Sequence, residues 1–362
     1  MSVDKPRARD LGVPFEGEPG PFNAITDVEG VEVGHVTLIS GEGKLEVGKG
    51  PVRTGVTAIL PRGKASASPV FAGWFPLNGN GEMTGTAWIE ETGLLEGPVL
   101  LTNTHSVGVV RDAIIAWQMR GGRLPGLWSL PVVAETWDGW LNDINGFHVR
   151  LEHVVAALEA ASSGPVAEGN VGGGTGNICY EFKGGIGTAS RVVDDKTDRY
   201  TVGVLAQANH GQRRQLLVAG VPVGRELAEE ALPREENGSI LILVATDAPL
   251  LPHQCKALAR RAAMGLARTG SVAGISSGDL FLAFSTGNLA GANVRKNVPV
   301  TMLGLGRLNA LFEAVTQATE EAIVNALIAA EDMTGVNDHF VPALPHDRLR
   351  EILRAYNRLE EK

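Results

Sequence analysis

Cysteine is scarce in this sequence, with only Cys179 and Cys255 among 362 residues and no C-x-x-C pair. A disulfide scaffold is therefore excluded, and two buried free thiols are expected. The sequence also lacks any apolar run long enough to cross a bilayer, and residues 1–10 carry charges without the apolar core of a signal peptide. These absences predict a soluble cytoplasmic protein.

Clustered positive charge is absent as well. The net charge is −9, and no stripe of lysine or arginine appears along the chain. Nucleic acid and anionic membranes both favour clustered lysine and arginine, so we expect neither as a partner.

Patterns that bind metals or phosphates are also missing. The eight histidines form no H-E-x-x-H motif and no Cys/His cluster, and His148 and His153 are spaced so that they do not share one helix face. The glycine run at 172–177 lacks the lysine of a P-loop and the spacing of G-x-G-x-x-G. We therefore predict no metal and no cofactor, and interpret the glycine run as a structural or substrate-lining loop.

Glycine and apolar residues, by contrast, are abundant. The 46 glycines predict many tight turns, and a hydrophobic content of 44% is enough for a large buried core. A chain of 362 residues could hold two domains, but no linker, internal repeat or low-complexity tract divides it. We therefore predict one compact α/β domain over residues 1–362, with strand pairs and helix pairs in layers.

Apolar periodicity predicts the order of strands and helices. Strands are predicted at 23–39 (several short ones joined by tight turns), 54–60, 97–101, 199–208, 215–223, 240–246 and 280–285. Helices are predicted at 104–120 with Thr104 as N-cap, at 147–161 with Gly164 beyond its end, at 252–268, and as long helices within 309–330. The polar stretch 224–237 is predicted to be an exposed, cleavable loop.

The most informative feature is the junction at the end of that loop. Glu235, Glu236 and Asn237-Gly238 lead into Ser239, which opens an unbroken apolar run. If the bond before Ser239 were cut, one residue would carry both a hydroxyl nucleophile and a free α-amine, whose pKa of about 8 suits it to accept a proton. The same residues are also typical of a hairpin turn, and on their own they favour the turn.

A second serine with a nearby carboxylate occurs at Ser277 and Asp279. In an extended segment, residues two apart lie on the same side, so the hydroxyl and the carboxylate would meet. No G-x-S-x-G elbow anchors a Ser-His-Asp triad around either group. An Asx-type turn before the strand at 280–285 explains the same two residues and, taken alone, is the simpler interpretation.

Several segments together resemble one family. These segments are Asn23 to His35, Thr102 to Gly108, Glu135 to Gly139, Asn170 to Gly176, Gln207 to Gly211, Asn237 to Ser239 and Ser277 to Asp279. In their order and approximate spacing they resemble the self-processing L-aminopeptidase/D-esterase (DmpA-type) and β-aminopeptidase family of N-terminal-nucleophile hydrolases. The resemblance extends from about residue 10 to about residue 337.

The resemblance implies an architecture and a processing event. The implied fold is a four-layer α/β/β/α sandwich, of the DmpA and ornithine-acetyltransferase type, with two mixed sheets face to face, assembled as a homotetramer. Autocatalytic cleavage is implied between Gly238 and Ser239, giving fragments 1–238 and 239–362. Ser239 would be the nucleophile, and Ser277 and Asp279 would form hydrogen bonds around it.

The resemblance also implies substrate-binding residues. Asn209 corresponds to the family's oxyanion-stabilising asparagine, and a side-chain amide can point an N–H at developing negative charge. Glu135 corresponds to the acidic residue that binds the free amine of the substrate. Trp137 stands where the family has a tyrosine. An indole N–H can donate a hydrogen bond but cannot act as a phenol, so we expect Trp137 mainly to line the pocket.

The predicted function is therefore that of an aminopeptidase with amidase and esterase activity. It would release N-terminal residues from short peptides, amides or esters with a free amine through an acyl-enzyme on Ser239. The sequence does not choose among L-, D- and β-amino acids. Two alternatives are an acyltransferase of the ornithine acetyltransferase type, which Ser239 disfavours because those enzymes have threonine at the junction, and an uncut binding protein without catalysis.

Overall fold

The computed structural model describes residues 5–122, 124, 126–194, 198–228, 238–288 and 297–360. Within these ranges the strands are β1 (Glu32–Ser40), β2 (Val52–Leu60), β3 (Val70–Pro76), β4 (Leu94–Leu95), β5 (Val99–Asn103), β6 (Val132–Thr136), β7 (Ile178–Cys179), β8 (Phe182–Lys183), β9 (Gly185–Asp194), β10 (Arg199–Asn209), β11 (Ser239–Thr246), β12 (Gly278–Ser285), β13 (Met333–Thr334) and β14 (Phe340–Val341). The helices are α1 (Thr86–Thr92), α2 (Val107–Arg120), α3 (Leu151–Ala160), α4 (Val223–Glu226), α5 (Pro252–Arg268), α6 (Leu308–Ile328) and α7 (His346–Ala355).

Two mixed sheets form the centre of the molecule. One has the order β1-β2-β5-β6 and is parallel between β5 and β6. The other has the order β4-β3-β12-β11-β10-β9 and is parallel between β11 and β12. Apolar side chains from both sheets fill one shared core, among them Ile59, Leu101, Leu241 and Leu282. The sheets therefore pack face to face.

Helices cover the outer face of each sheet. Side chains of α2 and α3, such as Ile114 and Leu158, share a core with Leu100 of the four-stranded sheet. Helices α5 and α6 pack in the same way on the outer face of the six-stranded sheet, where Ile242 of β11 is buried. Strand β11 is thus buried on both faces, which explains its unbroken apolar run. The predicted α/β/β/α sandwich is confirmed.

Most of the sequence-predicted elements are present. The strands predicted at 54–60, 97–101, 199–208, 240–246 and 280–285 match β2, β5, β10, β11 and β12 to within two residues at each end. The helix predicted at 252–268 has the bounds of α5, and a single helix, α6, occupies most of 309–330. Cys179 and Cys255 are both buried thiols that form no disulfide, as predicted.

The strand predicted at 215–223 is wrong. Val218 and Val221 form one isolated bridge around Ala219 and Gly220, which both have positive φ, and helix α4 begins at Val223. The apolar residues alternate in burial as they would in a strand, but the tight turn at Ala219 and Gly220 reverses the chain before a strand can extend. Of the loop predicted at 224–237, residues 229–237 lie outside the described residues, and part of the remainder belongs to α4.

The glycine run is part of the packing between the sheets. Gly172–Gly174 form a buried 3-10 turn. A Cβ on Gly173 would collide with the side chain of Gln207 and the backbone carbonyl of Leu101. The glycines therefore have a structural role, one of the two predicted for this run.

Candidate active site

A pocket of about 480 Å³ opens where β11 begins and β6 ends. The residues that line it are Asn80, Gly81, Glu82, Thr104, Glu135, Trp137, Gly238, Ser239 and Ser276. Four of the seven residues predicted from the sequence are in this set. The other three, Asn209, Ser277 and Asp279, are buried beside the same strand ends.

Strand pairing places Ser239 at the edge of the pocket. Ser239 is the first residue of β11, and it lies opposite Asn209 on antiparallel β10 and opposite Gly278 on parallel β12. The backbone N–H of Gly278 donates a hydrogen bond of 3.1 Å to Ser239 Oγ. The apolar run that follows is buried in the sheet, so Ser239 is fixed by its strand with its hydroxyl at the pocket.

Ser277 and Asp279 lie on the same side of the chain, as their spacing predicts. Ser277 Oγ donates a hydrogen bond of 2.5 Å to Asp279 Oδ1. The same oxygen accepts a hydrogen bond of 3.3 Å from the backbone N–H of Ile240. Asp279 belongs to β12 rather than to a turn before it. The carboxylate therefore connects β12 to the residue that follows Ser239.

Asn209 ends β10 with its side-chain amide held at both ends. Its Oδ1 accepts a hydrogen bond of 2.8 Å from the N–H of Ile178, and its Nδ2 donates one of 2.8 Å to the carbonyl of Trp137. These two bonds fix the orientation of the amide. One N–H of Nδ2 is used in this way, and the second is the hydrogen that an oxyanion role would require.

Glu135 is a buried carboxylate at the end of β6, with only 3% of its surface exposed. Its Oε1 accepts a hydrogen bond of 3.0 Å from the N–H of Glu82, and its Oε2 accepts one from the hydroxyl of Thr104. Burial raises the pKa of the Glu135 carboxyl above its usual range, although both hydrogen bonds oppose this shift. A desolvated carboxyl group of this kind favours a bound ammonium group.

Thr104 has a different role from the one predicted. It does not cap a helix that begins at residue 104, since residues Thr104–Ser106 form a 3-10 turn and α2 begins at Val107. Its hydroxyl instead donates to Glu135. The hydrogen bond to a neighbouring strand has replaced the local capping bond.

Trp137 lines the pocket, as predicted, and is half-buried. Its ring lies against Gly139, where a Cβ would be 2.8 Å from the ring atoms. Its backbone carbonyl accepts the hydrogen bond from Asn209. The short segment after Glu135 therefore joins the buried carboxylate to the predicted oxyanion donor.

Asn78, Asn80 and Glu82 were not predicted from the sequence but contact the predicted residues. The backbone N–H of Asn80 donates a hydrogen bond of 3.3 Å to the carbonyl of Ser277, Asn78 contacts Asp279, and Glu82 contacts Glu135. The signal was a run of asparagine and glycine from Asn78 to Glu82 directly after an apolar stretch. Loops that follow strands often carry functional residues, but strand β3, which precedes this loop, was not predicted.

No histidine is among the described residues that line the pocket. His210 follows Asn209, but burial lowers its pKa to about 3, so its ring is neutral. The pocket therefore offers no histidine as general base. Within the described part of the chain, no group of three or more His, Cys, Asp or Glu side chains is arranged to hold a metal ion, and no helix is long and apolar enough to span a membrane.

Comparisons with known proteins agree along almost the whole chain. The model of peptidase family S58 matches residues 23–341. The β-peptidyl aminopeptidase BapA of Sphingosinicella microcystinivorans is 58% identical over 374 aligned residues, which cover 99% of this chain and 94% of that protein. The BapA of Sphingosinicella xenopeptidilytica is 52% identical, covering 98% of this chain and 92% of that one.

Two solved structures are similar in both sequence and fold. A β-aminopeptidase from Burkholderia sp. has a TM-score of 0.89 and 52% identity, covering 97% of this chain and 99% of that one. The L-aminopeptidase D-Ala-esterase/amidase from Ochrobactrum anthropi has a TM-score of 0.92 and 50% identity, covering 98% and 100%. The latter is described as a prototype of the serine aminopeptidases and a variant of the Ntn-hydrolase fold.

Proposed function

Because the chain belongs to peptidase family S58 and is a serine aminopeptidase with the Ntn-hydrolase fold, we propose that it becomes active by a cleavage that makes Ser239 the first residue of a new chain. Cleavage between Gly238 and Ser239 would give fragments 1–238 and 239–362. The position of Ser239 carries the proposal, because its hydroxyl lies at the pocket and its backbone nitrogen would become an α-amine on the same residue. Gly238 supports it: a Cβ there would collide with the carbonyl of Asn209, so only glycine fits.

The proposed reaction uses the α-amine of Ser239 as the general base. The amine takes the proton from Ser239 Oγ as Oγ bonds to the carbonyl carbon of the substrate. Asn209 Nδ2 donates to the oxyanion of the tetrahedral intermediate. When the intermediate collapses, the leaving amine takes the proton from the α-ammonium and an ester remains on Ser239. Water then attacks the ester and gives a proton to the same amine. When this second intermediate collapses, the α-ammonium returns the proton to Ser239 Oγ, and the free acid leaves.

Glu135 would bind the ammonium group of the substrate. Its carboxyl group is buried at the pocket, and its two oxygens are already oriented by Glu82 and Thr104. Binding of a cation would offset the desolvation of this carboxylate. The proposed substrates are therefore short peptides, amides and esters that have a free amine.

We propose that residues released from the N-terminus include β-amino acids. Support comes from the two relatives at 58% and 52% identity, which are both β-peptidyl aminopeptidases. The similar Ochrobactrum structure is of an L-aminopeptidase and D-Ala-esterase/amidase, so L- and D-residues belong in the same test.

A panel of p-nitroanilides of L-, D- and β-amino acids tests this function. We expect the β-aminoacyl anilide to be turned over by the wild type and not by Ser239→Ala. N-acetylation of the same substrate should abolish turnover, because the acetyl group removes the positive charge. An enzyme that remains uncut and inactive on every substrate would favour the non-catalytic alternative, and transfer of the acyl group to an amino acid instead of water would favour the acyltransferase.

We also propose an oligomeric state and a cellular location. The family resemblance supports a homotetramer of cut chains in the cytoplasm. Native mass measurement tests the first, and cell fractionation tests the second.

A further inference from the structure

The side chain of Asn78, which follows β3, forms two hydrogen bonds with Asp279. Its Oδ1 accepts a bond of 2.6 Å from the backbone N–H of Asp279, and its Nδ2 donates one of 3.1 Å to Asp279 Oδ2. Nδ2 also donates to the carbonyl of Gly274 at 3.2 Å. Because two of these three partners accept and one donates, the Asn78 amide has a single orientation.

The two oxygens of the Asp279 carboxylate therefore have different hydrogen-bond partners. Oδ2 is occupied by Asn78, whereas Oδ1 accepts from Ser277 Oγ and from the N–H of Ile240. Ser277 has only one hydroxyl hydrogen, so once it donates to Asp279 its oxygen can act only as an acceptor toward other groups. The direction in which Ser277 presents its lone pairs therefore depends on the rotation of Asp279, which Asn78 fixes.

We propose that Asn78 is a positioning residue of the active site, which acts through Asp279 on Ser277. The inference rests on the proposed function of Ser239, Ser277 and Asp279. The side-chain hydrogen bonds of Asn78 go to Asp279 and to the carbonyl of Gly274, so its proposed role is exerted through Asp279. After the proposed cut, Asn78 would belong to fragment 1–238 and Asp279 to fragment 239–362. The pair would then be a hydrogen-bonded link between the two fragments at the active site.

The substitution Asn78→Asp separates positioning from packing. It preserves the shape of the side chain and the acceptor for the N–H of Asp279, but it replaces the donor to Asp279 Oδ2 with a second carboxyl oxygen. At acid pH the two carboxyl groups share one proton, which restores a donor between them. At higher pH both ionise and repel, and Asp279 rotates away. Tyr180, whose ionised form Asp279 would repel, stays neutral throughout because burial raises the pKa of its hydroxyl.

The experiment measures kcat and KM of purified, cut enzyme from about pH 5 to about pH 8. We expect the ratio of wild-type to Asn78→Asp kcat to rise by about 10- to 100-fold across this range, because the loss removes a hydrogen bond to a charged group. KM for a free-amine substrate should change by less than about twofold. The rate of self-cleavage is measured over the same pH range. It provides a second measurement if turnover of the substrate is too slow to follow.

Two further variants complete the design. Asn78→Ala removes the donor without adding charge and should lower kcat by the same factor at every pH. Asn170→Asp is the matched control. Asn170 also accepts from a backbone N–H and donates to an oxygen, at 2.9 and 2.7 Å, but both partners are backbone groups of Glu331 away from the pocket, so no second carboxylate faces it. The ratio of wild-type to Asn170→Asp kcat should not vary with pH.

The outcomes separate this inference from the proposed function. If Ser239→Ala is inactive and the Asn78→Asp ratio is as flat as that of Asn170→Asp, Asn78 has no positioning role and the proposed function stands. If Ser239→Ala still turns over substrate, the proposed function fails, and the role of Asn78 fails with it.

Discussion

At the scale of single residues, Glu135 shows how burial adjusts a binding group. Its pKa is raised mainly by desolvation, and the carboxylate form is the one that attracts an ammonium group. As pH falls through this raised pKa, Glu135 gains a proton and the attraction is lost. We therefore expect kcat/KM for free-amine substrates to begin falling at a higher pH than an ordinary glutamate would give.

Glu135→Gln tests this assignment. The variant should lose the part of the acid-side decrease that Glu135 contributes, while the part due to protonation of the Ser239 amine remains. It should also lower kcat/KM by about 10- to 100-fold, because an uncharged amide replaces one partner of a charge-assisted bond. Glu90→Gln is the control, since Glu90 pairs with Lys256 on the surface. Self-cleavage should continue in both. Equal turnover of acetylated and free-amine substrates by the wild type would remove Glu135 from this role.

Asn209 should act on charge that exists only while the tetrahedral intermediate forms. We expect Asn209→Ala to lower kcat by about 10²- to 10³-fold, as loss of one oxyanion donor typically does, with a much smaller change in KM. Its bonds to Ile178 and Trp137 are also lost, so kinetics must be normalised to folded, cut enzyme. If folded, cut Asn209→Ala enzyme has the kcat of the wild type, the oxyanion assignment is refuted.

The sequence identified some of these residues and not others for a physical reason. Ser239, Asn209 and Glu135 stand in short motifs that a family resemblance can locate. Asn78 is 201 positions from Asp279 along the chain, and only the pairing of β3 with β12 brings the two together. Local residue patterns contain no information about such a contact.

At the scale of elements, the parallel pairing of β11 and β12 assembles the site. Parallel strands begin at the same edge of a sheet, so Ser239 and Gly278 meet there. Strand β11 was predictable because a strand buried on both faces is an unbroken apolar run. Strand β9 was not predicted. Its Gly185 and Gly187 allow close packing, since a Cβ on Gly187 would collide with the backbone of α6, and this packing is invisible in the local sequence.

Gly278 is expected to tolerate no side chain. A Cβ there would meet the carbonyl of Asn80 and lie 2.6 Å from the Cα of Gly81, both of which are backbone atoms. Gly278→Ala must therefore displace the loop that contacts Glu135 and Asp279, and we expect kcat/KM to fall by about 100-fold, as small misplacements of catalytic groups do. Gly79→Ala in the same loop has open space around its Cβ and should be close to wild type. Equal activity of the two variants would show that the loop position does not matter.

At the scale of the whole molecule, the proposed cut would divide the strands of one sheet between two fragments. β11 and β12 would belong to fragment 239–362, whereas their neighbours β10 and β3 would belong to fragment 1–238. Helices α5 and α6 of the second fragment share a core with β10 of the first. Each fragment alone would expose large apolar surfaces, so the fragments should remain associated.

Cleavage and association can be measured together. Under denaturing conditions the wild type should separate into pieces of roughly two thirds and one third of 38.1 kDa, whereas Ser239→Ala should stay whole. Under native conditions both should have the same mass, because the six-stranded sheet holds the fragments together. Urea should unfold the cut protein in a single transition, since neither fragment retains a complete core. Edman sequencing should find a chain that starts Ser-Ile-Leu-Ile. Its absence would exclude cleavage before Ser239, and two separate unfolding transitions would show that the fragments fold independently.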